Sequence, residues 1–382
     1  MKVEQLTLTS ADAAVPTFPA GGLARLLIVF APRPWLTDTG LMAKIRAACP
    51  AETQIVGCST AGEITAAGAH QEVATLTYLR TERTRVVTKA QPIPSLADSH
   101  ECGRQLAASL CEGEEAPAYA LIFSEGLKLN GDKLVAGLEA SFAGCYGSCS
   151  FSGGLAGDGH RIVETVVIAN GEVCHQTVVA VAFYGAHFRG ASASASGWSP
   201  FGSFRKITRS EENRVYEIDS RSALEVYASY LGDDADHLPA SGLLYPLEVV
   251  PPDPPIPVIR AFREVDRESG MLTFAGDVPQ GSTARLMSAS NNQLVDGAEA
   301  AVRLALQQLE KPDLALLFSC FGRMLVLASH TDLEVAAVQE NLPTGTVIAG
   351  FHSYGEIGRD ETQAAVKFHN QTMTITLLAE DP

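Results

Sequence analysis

Three apolar runs of strand length recur along the chain: Leu26–Phe30, Ala120–Ser124 and Ala315–Ser319. Consecutive apolar residues bounded by polar ones are the pattern of a strand buried on both faces. Each run is followed by a segment with helical spacing, Leu41–Ala48, Asp132–Ala140 and Thr331–Val338, where Asp or Thr is available as a cap. Roughly thirty residues after each strand begins comes a glycine-bracketed stretch ending in a carboxylate, a distance that suits a βαβ unit. The stretches are Gly57-Cys58-Ser59-Thr60-Ala61-Gly62-Glu63-Ile64, Gly153-Gly154-Leu155-Ala156-Gly157-Asp158 and Gly350-Phe351-His352-Ser353-Tyr354-Gly355-Glu356-Ile357. The first and third share glycine, a hydroxyl residue, glycine, glutamate and isoleucine at matching offsets. The middle one keeps a late glycine followed by an acid. The pattern predicts a repeated α/β unit.

Between the units the grammar changes. Asn170-Gly171, inside the β-rich stretch His160–Ser194, marks a hairpin. Pro257–Met287 reads as a meander turning near Glu268-Ser269-Gly270 and Pro279-Gln280-Gly281, and Ala364–Leu378 as a closing hairpin about His369-Asn370-Gln371. A helix is expected over Ser222–Leu231, whose Leu224, Val226, Tyr227 and Tyr230 recur at helical spacing. Pro246–Pro257 holds six prolines in twelve residues, which argues against a helix or central strand and for an extended crossing. The predicted fold class is α/β: two domains of repeated βαβ-type units, with mixed sheets and antiparallel hairpins. The expected division is an N-terminal segment 1–24, a first domain 25–220 and a second domain 221–382.

Composition narrows the partners. The 382 residues exceed the usual length of one domain, which agrees with two. With 44 acidic against 28 basic residues the net charge is -16, which repels phosphate backbones and anionic lipid, so neither nucleic acid nor membrane is an expected partner. The start of the chain lacks a basic region followed by an apolar run, and no stretch approaches about 18 apolar residues, so a cytoplasmic location is expected. The eight cysteines show no Cys-x-x-Cys spacing; most are expected to be small buried thiols in a reducing compartment.

The bracketed stretches also carry a family resemblance. Gly57–Ile64 and Gly153–Asp158 resemble signature segments of the FIST N-terminal domain, and Phe318–Arg323, Gly350–Gly358 and Phe368–Thr372 resemble those of the FIST C-terminal domain. Ser196–Pro200 agrees as well, as does Glu217-Ile218-Asp219 ahead of a helix ending at Gly232, so the resemblance spans residues 25 to 378. It implies a bacterial signal-transduction role: a sensor that binds a small ligand such as an amino acid and regulates a histidine kinase or a diguanylate cyclase or phosphodiesterase. One group of such proteins binds haem and senses nitric oxide. A chain with both FIST domains and no output domain is similar to that group, which makes haem a candidate cofactor.

Candidate ligand-binding residues are Ser59, Thr60, Gly62, Glu63, Gly157, Asp158, Ser353, Tyr354, Gly355 and Glu356 of the bracketed stretches, with Cys320 and Arg323 just beyond the third strand. Glycine lets backbone approach a ligand, and a carboxylate binds an ammonium group or takes a proton. The same Gly-Glu pair equally makes a turn whose carboxylate caps nearby amides. Arg323 offers either a bidentate fork for a ligand carboxylate or a structural ion pair. His352 stands where the resemblance leads one to expect an aromatic residue, commonly tyrosine; its imidazole is a candidate cofactor ligand, with a plain core histidine as the alternative.

No catalytic constellation emerges. Gly57–Ala61 departs from the Gly-x-Ser-x-Gly elbow at Ala61, dinucleotide and Walker patterns are absent, and Gly153–Gly159 lacks a phosphate-binding lysine. Cys145-Tyr146-Gly147-Ser148-Cys149 has no partner pair for a metal. The expected class is a binding protein and not an enzyme. The alternatives are a haem-free amino-acid or metabolite sensor and a hydrolase-like enzyme using Cys320 or Ser59.

Overall fold

The computed structural model describes residues 1–113, 115–145, 149–362 and 365–381. Tyr146, Gly147 and Ser148, between the two thiols noted above, and Ala364, at the start of the expected closing hairpin, lie outside the described residues.

Three units follow one another. The first comprises β1 (Lys2–Leu8), β2 (Ala24–Ala31), α1 (Arg33–Thr37), α2 (Leu41–Ala48), β3 (Gln54–Ser59), β4 (Glu63–Thr65), β5 (Gly68–His70) and β6 (Ala74–Thr81). The second comprises β7 (Arg85–Pro92), α3 (Ser99–Leu110), β8 (Tyr119–Ser124), α4 (Gly131–Phe142), β9 (Ser150–Leu155), β10 (Val167–Ala169), β11 (Glu172–Cys174) and β12 (Thr177–Tyr184). The third opens with β13 (Phe188–Ala195) and is then interrupted by an insert. The insert holds β14 (Ser199–Pro200), β15 (Arg205–Glu211), β16 (Arg214–Ile218), β17 (Arg221–Ser222), α5 (Ala223–Leu231), β18 (Leu247–Val250), β19 (Val258–Arg260), β20 (Phe262–Asp266), β21 (Met271–Phe274) and β22 (Thr283–Ser288). The third unit resumes with α6 (Asn291–Leu306), β23 (Leu314–Cys320), α7 (Phe321–Leu327), α8 (Asp332–Asn341), β24 (Val347–Ser353), β25 (Glu356–Arg359), β26 (Val366–His369) and β27 (Met373–Glu380).

The predicted βαβ units are present: β2 with β3, β8 with β9 and β23 with β24 pair in parallel. Their registers coincide, with Gly57 opposite Val29, Gly153 opposite Ile122 and Gly350 opposite Leu317. A Cβ at these glycines would lie 1.9, 1.8 and 2.0 Å from the carbonyl oxygen of that partner, so each position requires glycine.

After its parallel pair each unit sends a hairpin to a neighbour. The β4–β5 hairpin adds to β24, β25–β26 to β9, and β10–β11 to β3, a cyclic exchange around the molecule. The following strand then returns home, β6 to β2, β12 to β8 and β27 to β23, antiparallel in each case. Three six-stranded mixed sheets with the same strand order result.

Alternation along the strands explains how the sheets pack. Leu26, Ile28 and Phe30, Leu121 and Phe123, and Leu316 and Phe318 enter one shared central core. The residues between them face outward onto helices: Leu27 and Val29 onto α2, Ala120 and Ile122 onto α3 and α4, Ala315 and Leu317 onto α6 and α8. Phe30, Phe123 and Phe318 follow the three matched partner residues and meet at the centre, with ring centroids 5.7 Å apart for the first pair and 6.4 Å for the second. The insert is a nine-stranded antiparallel sheet covered by α5, with its own core around Ile207, Tyr227, Phe262 and Phe274. It docks through Arg260, which bonds the Phe368 carbonyl at 3.2 Å and Asp132 at 2.6 Å.

Several local expectations are corrected. Residues 366–380 form no hairpin: β26 pairs with β25 and β27 with β23 and β13, because the chain crosses between sheets at His369–Gln371. Pro246–Pro257 contains the internal strand β18, paired on both edges; the prolines lie outside its four residues. The α4 cap is Asn130, whose side chain accepts from Lys133 N, while Thr331 makes no side-chain cap bond on α8. Cys111 and Cys145 form a disulfide, departing from the expectation of free thiols, whereas Cys58, Cys102, Cys149 and Cys320 are buried and free.

Candidate functional site

The three bracketed stretches converge where the parallel strands end. Ala61 N donates to the His352 carbonyl at 3.0 Å and His352 N to that of Gly62 at 2.7 Å. Gly157 N donates to Ser59 O at 2.9 Å, and Leu155 N to Gly355 O at 2.8 Å. Each turn thus clasps its neighbour. Gly157 permits this closeness, since a Cβ there would lie 2.7 Å from Ala61 N.

Strand pairing places Glu63 opposite Phe351, Glu356 opposite Gly154 and Val167 opposite Cys58. The position equivalent to the two glutamates is therefore Val167, and Asp158 is out of register with them. This corrects the sequence comparison: residues 156–166 form a loop between strand and hairpin that the other two units lack. Asp158 is buried and held by Arg33 at 3.3 Å and Arg161 at 2.8 Å.

Both glutamates are fully buried acids. Thr60 donates to Glu63, and Ser353 donates to Glu356 Oε1 at 2.6 Å while Thr372 Oγ1 donates to Oε2 at 2.9 Å. Burial dominates over these bonds and pushes each carboxyl up to about 8. Burial favours the neutral acid in both, and Glu63 Oε2 has no hydrogen-bond partner among the described residues.

Beside the latch lies a cleft of about 490 Å³, walled by β5, α7 and the start of α8. It receives one histidine from each unit: His70 on β5, His160 on the loop 156–166, and His352 at the end of β24. Met324, Leu325 and Ala328 supply apolar wall, and Gln71, Thr331 and Asp332 polar wall. His70 bonds Thr65 at 2.8 Å, and His160 packs edge-on to Phe321 at 5.2 Å. His352 is 1% exposed, its Nδ1 has no hydrogen-bond partner among the described residues, and burial pushes its pKa down to about 4. At the equivalent strand positions Leu155 packs in a core, and Ser59 donates to the Gly157 carbonyl at 2.8 Å and accepts from Val166 N at 3.1 Å. Only the third unit ends its strand on an unsatisfied ring. No cluster of three His, Cys, Asp or Glu side chains among the described residues is placed to hold a metal ion by itself.

The FIST N domain family model matches residues 25–221, and the FIST C domain model matches residues 223–359. The chain belongs to the FIST family. FIST domains are sensory, small-ligand-binding domains of signalling proteins. Among solved structures, similarity extends to a chorismatase, at 8% identity over 98% of each chain with a TM-score of 0.35. It extends also to a cyanuric acid hydrolase from A. caulinodans, at 10% identity over 100% of this chain and 99% of the other with a TM-score of 0.37. At those scores neither likeness bears on function. No curated protein matches the chain. No helix among the described residues is long and apolar enough to cross a membrane.

In this FIST protein two candidates outside the stretches turn inward. Arg323 is fully buried; its guanidinium is ion-paired with Glu334 and donates to the Leu294 carbonyl at 2.7 Å, so no fork remains for a ligand. Cys320 is buried, and desolvation raises its thiol pKa well above the ordinary value, the opposite of an activated nucleophile. Tyr354 donates its hydroxyl to the Gly159 carbonyl at 2.6 Å and ties the loop 156–166 to the latch. Of the candidates, His352 alone lines the cleft. His70 was not singled out by the sequence, since it reaches the cleft only because its hairpin crosses to another unit.

Proposed function

We propose that this FIST protein is a non-enzymatic sensor whose ligand enters the His70–His160–His352 cleft and changes its control of a histidine kinase or a cyclic-dinucleotide cyclase or phosphodiesterase. One observation carries the proposal: a buried imidazole, its Nδ1 without a hydrogen-bond partner among the described residues, lines a cleft whose walls come from three separate units, so that a ligand there bridges all three. The volume lies within the range of small-ligand pockets.

Haem is the cofactor this reading favours. Imidazole and thioether are haem-iron ligand types, and the cleft offers His352, His70, His160 and Met324 beside apolar wall. The low pKa of His352 keeps a ring lone pair available at neutral pH. Bound haem would supply an iron centre that takes nitric oxide. Asp332, at the cleft rim, favours a second filling, an ammonium-bearing amino acid or related metabolite; its Oδ1 accepts from Ala69 N at 2.8 Å. A hydrolase finds less support, because Ser59 is engaged by backbone groups on both sides and Cys320 is a buried thiol.

Haemin added to the purified protein should give a Soret band that shifts when nitric oxide is admitted. Absence of that band, with a melting temperature raised instead by an amino acid, replaces haem by the metabolite reading. No response to either overturns the proposal.

A further inference from the structure

The insert exposes an apolar strip at the edge of its own core. Leu244, Phe201 and Phe204 are 40%, 43% and 48% exposed. Half-buried tyrosines join them: the Phe201 and Tyr245 rings lie 5.7 Å apart, and the backbone at Gly202 rests on Tyr230, where a Cβ would be 3.0 Å from the ring. The guanidinium of Arg285 lies 4.4 Å over the Phe204 ring.

An acidic rim runs beside the strip. The 3-10 turn Gly232–His237 exposes Asp233, Asp234 and Asp236. Asp234 accepts from the Tyr245 hydroxyl at 3.1 Å, which places the turn next to the aromatic residues. Asp233 and Asp236 have no ion-pair partner among the described residues, whereas Arg205 is matched by Asp219 and Arg285 by Glu248. Arg267 donates to the Ala235 carbonyl at 3.3 Å and offsets one of the three charges. The rim stays negative.

The first two units close their sheets without any insert, so the strip serves no part of the exchange that builds the body. Exposed Phe and Tyr carry binding energy at protein interfaces, and an acidic rim selects a basic partner. We infer that the strip formed by Leu244, Tyr245, Phe201, Tyr230 and Phe204 docks a basic amphipathic helix of the signalling partner, apolar face on the aromatic residues and lysine or arginine toward Asp233 and Asp236. The inference takes the existence of a partner from the sensory reading and adds where and by what chemistry it binds.

The probe is a fluorescein-labelled amphipathic helical peptide of leucine and lysine, titrated by anisotropy into the full chain without cleft ligand. The double variant Phe201→Ser/Leu244→Ser should weaken binding about tenfold or more, with circular dichroism unchanged. Asp233→Asn/Asp236→Asn should weaken it about threefold and flatten its salt dependence. Glu172→Gln/Glu310→Gln, equal in charge change but remote, should leave it unaltered. Equal loss in the remote variant means that bulk charge binds the peptide and overturns the inference. So does a wild-type dimer that Phe201→Ser/Leu244→Ser converts to monomer, since the occupant is then a second copy. Loss of peptide binding leaves the haem titration untouched, and failure of the haem titration leaves this measurement standing.

Discussion

Glu63 and Glu356 illustrate what one residue's surroundings do to its chemistry. Their carboxyls titrate at about 8 in the fold against 4.5 when free, so the folded chain holds two protons that the unfolded chain has released by neutral pH. Their contribution to stability is full below pH 4.5 and is lost as the pH rises toward 8. His352 and His369, both lowered from 6.5 to about 4 by burial, act in the opposite sense: they favour the fold above 6.5 and lose that contribution as the pH falls through 4. Between pH 6.5 and 8 the two glutamates act without opposition from these histidines. Calorimetry should therefore show the melting temperature falling across that window, and Glu63→Gln/Glu356→Gln should flatten the fall. An unchanged slope would mean that both carboxyls are ionised in the fold. The matched hydroxyl-to-glutamate offset of the first and third stretches was legible in sequence. That Asp158 belongs to a different position was not, because only strand pairing reveals Val167 as the third equivalent.

Individual elements were read well where local pattern decides them. The three buried strands, α2 and the hairpin at Asn170-Gly171 follow directly from apolar runs, helical spacing and turn chemistry. Pairing partners do not, because a hairpin donated to another unit has the same local sequence as one that stays home; local pattern alone joins β26 to β27, whereas the chain pairs them with different sheets. The prolines around β18 misled similarly, since proline is excluded from the interior of the ladder but tolerated just outside it. The glycine positions test the element scale. Gly350→Ala sets a Cβ 2.0 Å from the Leu317 carbonyl and should cost about 4 kcal/mol or more in urea unfolding. Gly345→Ala, at φ +97° but with nothing within 4 Å, should cost about 1–2 kcal/mol. Phe123→Ala, at the shared centre, should cost about 3–5 kcal/mol. Equal losses at the two glycines would contradict the close strand approach.

At the scale of the whole molecule, three exchanged units enclose one core and depart from equivalence at a few places. The third unit carries the insert and places His352 where the other two have Ser59 and Leu155, and the second carries the loop with His160. The cleft joins the loop with His160 to His352 and to the exchanged hairpin with His70, and no insert residue lines it, so no single stretch of sequence announces it. The most direct test is a haemin titration followed by absorbance on the wild type, His352→Leu and His369→Leu. His369 is buried and neutral like His352 but lines a different pocket, between the insert and the body. The account predicts about tenfold or greater loss of affinity in His352→Leu and wild-type affinity in His369→Leu. Haemin binding that is unchanged in His352→Leu, or lost in His369→Leu alone, would contradict it.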